Sequence, residues 1–284
     1  MQATSTLERP AAPPETSSRT WRKAFKDISD GFRQRQLWAH LGWQDIKQRY
    51  RRSVIGPLWI TISMGVTVTA LGILYSALFG MPLHEHLPYV AVGFIVWNFI
   101  SGCVTEGTEV FIANEGLIKQ LPAPVSVHIL RLVWRQTLFL AHNLVIYFIV
   151  LAIFQMPVKW TVITVFPAIA LLMVNGVWVA LLFGVASTRF RDIPPVIQSF
   201  ITLAMFMTPI MWNAESIAKK GLGFQANFAD LNPLYHYIEI VRDPLLGDEQ
   251  LLYHWLIVLG FTAVGWLLAL VILRNYRARV AYWV

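Results

Sequence analysis

The chain has 284 residues, of which 56% are hydrophobic and only 14% charged, with a mean hydropathy of +0.53. A soluble domain needs more polar surface than that, so the composition predicts an all-α integral membrane protein, and the useful measure is how many apolar stretches can cross a hydrocarbon layer about 30 Å thick. The net charge of +7 gathers before the first such stretch, which reads as attraction to anionic lipid headgroups and gives no ground for a nucleic-acid partner.

Residues 1–32 hold Pro10, Pro13 and Pro14 among several Ser and Thr. They contain no apolar core of the kind a cleavable signal needs, so a disordered or loosely structured cytoplasmic tail is expected there. From 33 to 53, Leu37, Leu41, Ile46 and Tyr50 fall near helical spacing. Trp38 and Trp43 are expected as interfacial anchors, with Asp45, Lys47, Arg49, Arg51 and Arg52 on the polar side. This predicts an amphipathic helix lying along the membrane surface, which either anchors to lipid alone or also touches a partner protein.

Six spans are expected, at about 54–79, 88–110, 130–154, 161–187, 194–212 and 253–274. Basic residues alternate between the connections: Lys119, Arg131 and Arg135 flank the second, Arg189 and Arg191 the fourth, and Arg274, Arg277 and Arg279 follow the last span. The other side holds Lys159, Lys219, Lys220 and Arg242. That asymmetry predicts a multi-pass protein with both termini cytoplasmic. Cys103 lies inside an apolar run and reads as a packing residue. Between the second and third spans, residues 114–124 show a short apolar face at Leu117, Ile118 and Leu121, halted by Pro122, while Glu115 and Lys119 sit on the same short helix. Arg189, Phe190, Arg191 and Asp192 form a tight corner before Pro194 and Pro195. Pro209 should kink or end the fifth span. The following forty or so residues include the apolar patch Leu234–Val241, which reads as short helices dipping into the outer leaflet.

No glycine-rich phosphate loop ending in Lys and Ser or Thr occurs in the chain. A primary pump built on this chain would therefore take its ATP and magnesium on a separate ATPase subunit, and no catalytic residue, metal or cofactor is assigned to the chain itself. Asn98, His142, Asn143, Asn175 and Gln198 are expected to face other helices or an aqueous path. His142 has no deep carboxylate to relay protons with, since Glu106 and Glu109 fall near the cytoplasmic end of their span, so interhelical hydrogen bonding is its expected role. Tyr75, Phe79, Phe94, Trp97, Phe99, Trp178, Phe206 and Trp212 fall inside or near the outer ends of spans and are candidates to line a path. Tyr75, Phe79, Trp97, Phe206 and Trp212 are the preferred set.

Asp45-Ile46-Lys47, Arg49-Tyr50, Ser53-Val54 and Gly56-Pro57-Leu58-Trp59 open the chain's membrane part. Arg189-Phe190-Arg191-Asp192-Ile193, Thr208-Pro209-Ile210 and Asn232-Pro233-Leu234 follow in order. Together they resemble the permease subunit of type-2 ABC exporters, the Wzm-like family that moves O-antigen and galactan. The stretch Trp38–Arg52 and the ending Tyr276–Val284 are most similar to actinobacterial galactan exporters. The resemblance covers most of residues 35–284. It implies a homodimer in the bacterial plasma membrane that works with two cytoplasmic ABC ATPase subunits to export a lipid-linked polysaccharide. It also implies that residues 115–119 and 189–192 couple the permease to the ATPase. A type-2 permease for a lipid or drug is the nearest alternative. A membrane glycosyltransferase would need paired acidic residues on a cytoplasmic loop, where only the isolated Glu115 and Asp192 occur, and a secondary transporter would usually have more spans and buried acids.

Overall fold

The structure, a computed structural model, describes residues 19–120, 123–214 and 229–284. Residues 1–18, Leu121 and Pro122 of the expected second connection, and the first part of the expected outer-leaflet helices at 215–228 lie outside the described residues. The described residues form ten α-helices: α1 (Trp21–Arg33), α2 (Arg35–Arg49), α3 (Leu58–Phe79), α4 (Leu83–Glu109), α5 (Glu115–Gln120), α6 (Val125–Phe154), α7 (Val165–Arg189), α8 (Ile193–Met207), α9 (Pro233–Leu246) and α10 (Leu252–Trp283). Five of them, α3, α4, α6, α7 with its preceding 3-10 turn, and α10, are long and apolar enough to cross a membrane. The protein is a multi-pass, all-α membrane protein.

Several boundaries differ from expectation. The fifth apolar stretch, expected at 194–212, is helical only over the 15 residues of α8. Pro194 and Pro195 start it, where missing N–H groups cost nothing, and it stops before Pro209. In the other direction, α4 and α6 begin about five residues earlier than read, because Pro82 and Pro124 set their true starts. α10 runs on past residue 274 to Trp283.

The helix α4 is the pivot of the bundle. Its most apolar window is 78% buried, against 22% for α3 and for α10, and it packs against α3, α6, α7, α8 and α9. Its closest neighbour is α7. A Cβ added to Gly107 would stand 2.9 Å from the Cα of Ala180, one on Gly184 would stand 3.0 Å from the Gly107 carbonyl oxygen, and one on Gly176 would meet the Cys103 sulfur at 2.9 Å. Small residues spaced four apart on both helices let the backbones meet, which is how helices gain contact energy where lipid offers no hydrophobic driving force. Cys103 thus packs as the sequence implies.

The expected tail needs a correction: residues 21–33 are the ordered helix α1, with Ala24, Asp27 and Gly31 buried. The cause lies far along the chain. The Asp27 carboxylate accepts from the backbone N–H groups of Val125 at 3.2 Å and Ser126 at 3.0 Å, and Ser126 Oγ donates to the Asp27 carbonyl at 2.7 Å. A carboxylate there satisfies free donors at the start of α6 and meets the positive end of its dipole.

Interhelical hydrogen bonding accounts for Asn175, which joins three helices: its Nδ2 donates to Thr262 Oγ1, and its Oδ1 accepts from Tyr237 and from Trp178 of its own helix. His142 differs, since its Nδ1 bonds the Leu138 carbonyl one turn back, while its own carbonyl accepts from Thr61 of α3. Asn143 is buried, whereas Asn98 and Gln198 are exposed on this single chain.

Candidate functional site: the basic end, the wall and the cap

One end of the bundle carries α1, α2, α5, the α7–α8 corner and the last turns of α10, and with them most of the charge. Here α2 does more than lie on a surface. The Asp45 carboxylate sits between two arginines of α6: Arg131 donates from Nε at 2.9 Å and again from Nη2, and Arg135 Nη1 donates at 2.8 Å. Arg131 also reaches Asn114 Oδ1 at 3.0 Å, and Arg135 pairs with Glu106 at the end of α4. Burial opposes ionisation of Asp45, but the hydrogen bonds and charges of Arg131 and then Arg135 outweigh it and hold its carboxyl below the usual aspartate value. Gly42 admits this approach, since a Cβ there would meet the Trp134 ring at 3.0 Å. Trp38 stacks edge-on against Trp134 with centroids 5.9 Å apart, so it packs on protein, while Trp43 stays exposed with Lys47 over its ring. Arg49 lies over Phe139 and 3.9 Å from Glu106. Lys47 and Arg51 are exposed and Tyr50 half-buried.

The two segments expected to couple to a partner lie close together. In α5, Glu115 and Lys119 form an exposed ion pair, Leu117 is half-buried, and Ile118 packs against the core. The Glu115 carboxyl is held below its usual value by the hydrogen bond and charge of Lys119, with Arg191 of the α7–α8 corner adding to the effect. The corner shows Phe190 61% exposed, beside exposed Arg189 and Asp192, and Arg191 Nη2 donates to the Trp283 carbonyl at 3.2 Å. A large exposed aromatic between charges, next to a short rigid helix, is a surface suited to a second protein.

The path-lining candidates divide. Tyr75 and Phe79 stack at 5.7 Å on one side of α3 and are partly open. Phe206 is exposed on α8, and Trp212 donates its ring N–H to the Phe206 carbonyl at 3.2 Å. Trp97 is a correction: it is 5% exposed, in the core with Phe94 and Phe99, because α4 is covered on nearly every side. It cannot line a path. Between α4, α7, α8, α9 and α10 lies an apolar cavity of about 770 Å³, with Phe200, Met207, Trp212 and Trp178 among its walls.

The opposite end is capped by α9. Two stretches singled out in the sequence meet there: Asn232 Nδ2 donates to Thr208 Oγ1 at 2.8 Å, and Asn232 Oδ1 caps α9 by accepting from Leu234 N at 3.0 Å. Tyr89 of α4 donates to the carbonyls of Pro209 and Trp212. Arg242, 1% exposed, pairs with Glu239 at 2.7 Å and presses on Gly93, where a Cβ would stand 2.3 Å from its Nη2. The sequence reading missed Asp27, Glu106, Tyr89 and the buried pair Glu239–Arg242. An acid and a base three residues apart on one apolar helix face was the available signal for the last.

Comparison with known proteins agrees with this architecture. The family model described as ABC-2 type transporter matches residues 36–246. An O-antigen export system permease protein, RfbA, from Klebsiella pneumoniae is 24% identical over 222 residues, covering 78% of this chain and 84% of the relative. A protein of the same description from Myxococcus xanthus is 22% identical over 196 residues, covering 67% of this chain and 73% of the relative.

Proposed function

The chain belongs to the ABC-2 type transporter family, and from that premise we propose that it is the channel-forming subunit of an ATP-driven exporter of a lipid-linked polysaccharide of the O-antigen or galactan type. The observation that carries this reading is the alignment with O-antigen export permeases over 78% of the chain. The protein is a membrane transport subunit of its family, and the ATP and magnesium belong, on this reading, to two copies of a separate ABC ATPase. A second copy of the chain completes the channel.

The geometry supports the division of labour. The basic end faces the cytoplasm of a bacterial plasma membrane, in keeping with the retention of Lys and Arg on that side, and both termini lie there. The ATPase docks on α5 and the α7–α8 corner. Its motion reaches the spans through stiff contacts: α5 abuts the end of α10, and the Asp45–Arg131–Arg135–Glu106 network binds α2 to α6 and α4. At the outer end α9 closes the mouth. Tyr75, Phe79, Phe206 and Trp212 remain available to a passing glycan.

The test is reconstitution with the ABC ATPase expected as its partner. Glycan release from proteoliposomes should require both subunits and hydrolysable ATP. Release by this chain alone under an ion gradient would refute the proposal, and ATP-dependent movement of a lipid or drug without any glycan would favour the related permease alternative.

A further inference from the structure

At the basic end, the last turns of α7 and α10 enclose a cavity of about 730 Å³. Its floor includes Ile272, and its rim is set by Arg189, Arg279, Tyr276, Tyr282 and Trp283. The Arg189 guanidinium lies 5.8 Å from the Trp283 ring centroid and that of Arg279 lies 6.0 Å from it, so both charges address one space. Arg279 also lies 5.9 Å from the Tyr276 ring. The aromatic rings lie beside the two guanidiniums without accepting hydrogen bonds from their N–H donors. Among the described residues neither arginine has a carboxylate or hydrogen-bond partner, in contrast to Arg131, Arg135 and Arg242, each of which has one. Of the two further arginines nearest in sequence, Arg191 donates to the Trp283 carbonyl at 3.2 Å and Arg277 lies 3.8 Å from the Asp27 carboxylate.

We propose that this cavity binds the phosphate of a membrane lipid, with Arg189 and Arg279 as its cationic ligands and the apolar floor receiving the start of the hydrocarbon chain. Three properties of the cavity select that occupant. Two exposed guanidiniums without a protein partner concentrate positive charge on one space and favour an anion, and their forked donors match phosphate oxygens. The apolar floor excludes a free inorganic anion as the best match. The position, where two spanning helices end among Tyr and Trp side chains, is the headgroup level of a bilayer, where basic pockets between spans take anionic lipid heads. The ligand chemistry is a phosphate or diphosphate ester on a hydrocarbon chain. It can come from an ordinary anionic glycerophospholipid or from the polyprenyl diphosphate of a lipid-linked glycan, and only the second source rests on the export reading.

Native mass spectrometry of the full chain in a neutral detergent tests this with phosphatidylglycerol, phosphatidylcholine and a polyprenyl diphosphate as probes. The wild-type protein should retain phosphatidylglycerol about tenfold better than phosphatidylcholine, a preference equivalent to one or two charge-assisted contacts. The double variant Arg189→Gln/Arg279→Gln should lose that preference while keeping its elution volume and unfolding midpoint, and Arg189→Lys/Arg279→Lys should keep part of it. If the double glutamine variant does not fold, Arg279→Gln alone, on an exposed position of α10, is read the same way. Displacement of phosphatidylglycerol by the polyprenyl diphosphate would assign the site to the glycan carrier. An arginine-dependent preference without displacement would assign it to a resident phospholipid. Equal retention of the two phospholipids by the wild-type protein, or an unchanged preference in the glutamine variant, overturns the proposal. Failure of glycan export would leave these binding results as they are, so the two readings fail separately.

Discussion

The guanidinium carbon of Arg242 lies 3.8 Å from the centroid of the Tyr89 ring, and the same guanidinium pairs with Glu239 at 2.7 Å, so α9 is fastened to α4 by a charge held between an aromatic face and a carboxylate. Removing one member of a buried pair strands the other. Arg242→Met should destabilise the protein by about 3–5 kcal/mol. Glu239→Leu/Arg242→Met should recover most of that, because the desolvation cost of both charges disappears together. Tyr89→Leu keeps the pair and loses the ring, a loss of about 0.5–2 kcal/mol. Unfolding midpoints of the purified variants in one detergent check all three, and a double variant no better than Arg242→Met would show that the pair is not the fastening.

Acid should release α2 from α6. The Asp45 carboxyl titrates below its ordinary value of 3.8 in the folded protein, so the stability it lends is fully present above 3.8 and is lost as pH falls through the lower, folded value. At neutral pH the contact is intact, and protonation breaks three arginine hydrogen bonds at once. The edge-on pair Trp38–Trp134 reports the event. Tryptophan emission should therefore shift only below about pH 4, the ordinary aspartate range. Asp45→Asn should show the shifted emission already at pH 7.

The cap that α1 places on α6 is open to a simple test. Asp27→Ala leaves the N–H groups of Val125 and Ser126 without their acceptor, and the loss of such a cap costs about 1 kcal/mol. Because α1 is held largely at this point, limited proteolysis should cut between α1 and α2 faster in the variant. An unchanged cleavage rate would show that the other contacts of α1 with α6 and α10, among them Arg274 over the Trp21 ring at 4.8 Å, suffice to hold it.

Much of the bundle is legible in the sequence because an apolar run of some twenty residues has few alternatives to a spanning helix. The short α8 is legible for a different reason, since prolines bracket it. What escapes is whatever depends on residues distant in the chain. Nothing around Asp27 announces that it caps a helix beginning 98 residues later, so a Ser- and Pro-rich start concealed an ordered helix behind it. Trp97 misleads in the same way: the side chain suits stacking on a sugar, but its face of α4 is decided by five neighbouring helices. Asp45 was visible as part of a motif, while its partners Arg131 and Arg135 read only as loop-flanking charges. The segments 115–119 and 189–192 owe their proposed coupling role to resemblance, and their proximity through Glu115 and Arg191 is seen only in three dimensions.

The α4–α7 seam makes a sharp contrast between glycines. Gly107→Leu would drive a side chain into the Ala180 backbone, 2.9 Å from where its Cβ must stand, and the helices would have to separate. Gly184→Leu meets Val110, Phe111 and the Gly107 carbonyl in the same seam. Both should abolish accumulation of folded protein in the membrane, since small residues are what bring these helices together. Gly260→Ala on α10, with open space around its Cβ, should be tolerated or mildly stabilising because alanine favours the helix. Detergent-extracted yield and chromatographic monodispersity separate the outcomes.

If α5 and the α7–α8 corner receive the ATPase, as proposed, their substitution should change transport without changing the fold. Ile118 packs against the core, so Ile118→Ala mixes a folding effect with a functional one, whereas Leu117 is only half-buried and makes the cleaner probe. With the ATPase docked on α5, Leu117→Ala should remove apolar contact worth about 1–2 kcal/mol, enough to weaken the link between hydrolysis and spans. Hydrolysis should continue while export per ATP falls several-fold, and the unfolding midpoint of the permease should stay within experimental scatter. Phe190→Ala at the corner should act in the same direction. If both variants export at the wild-type ratio of glycan to ATP, force enters the membrane elsewhere, and α2, bound through Asp45 to α6, becomes the element to examine.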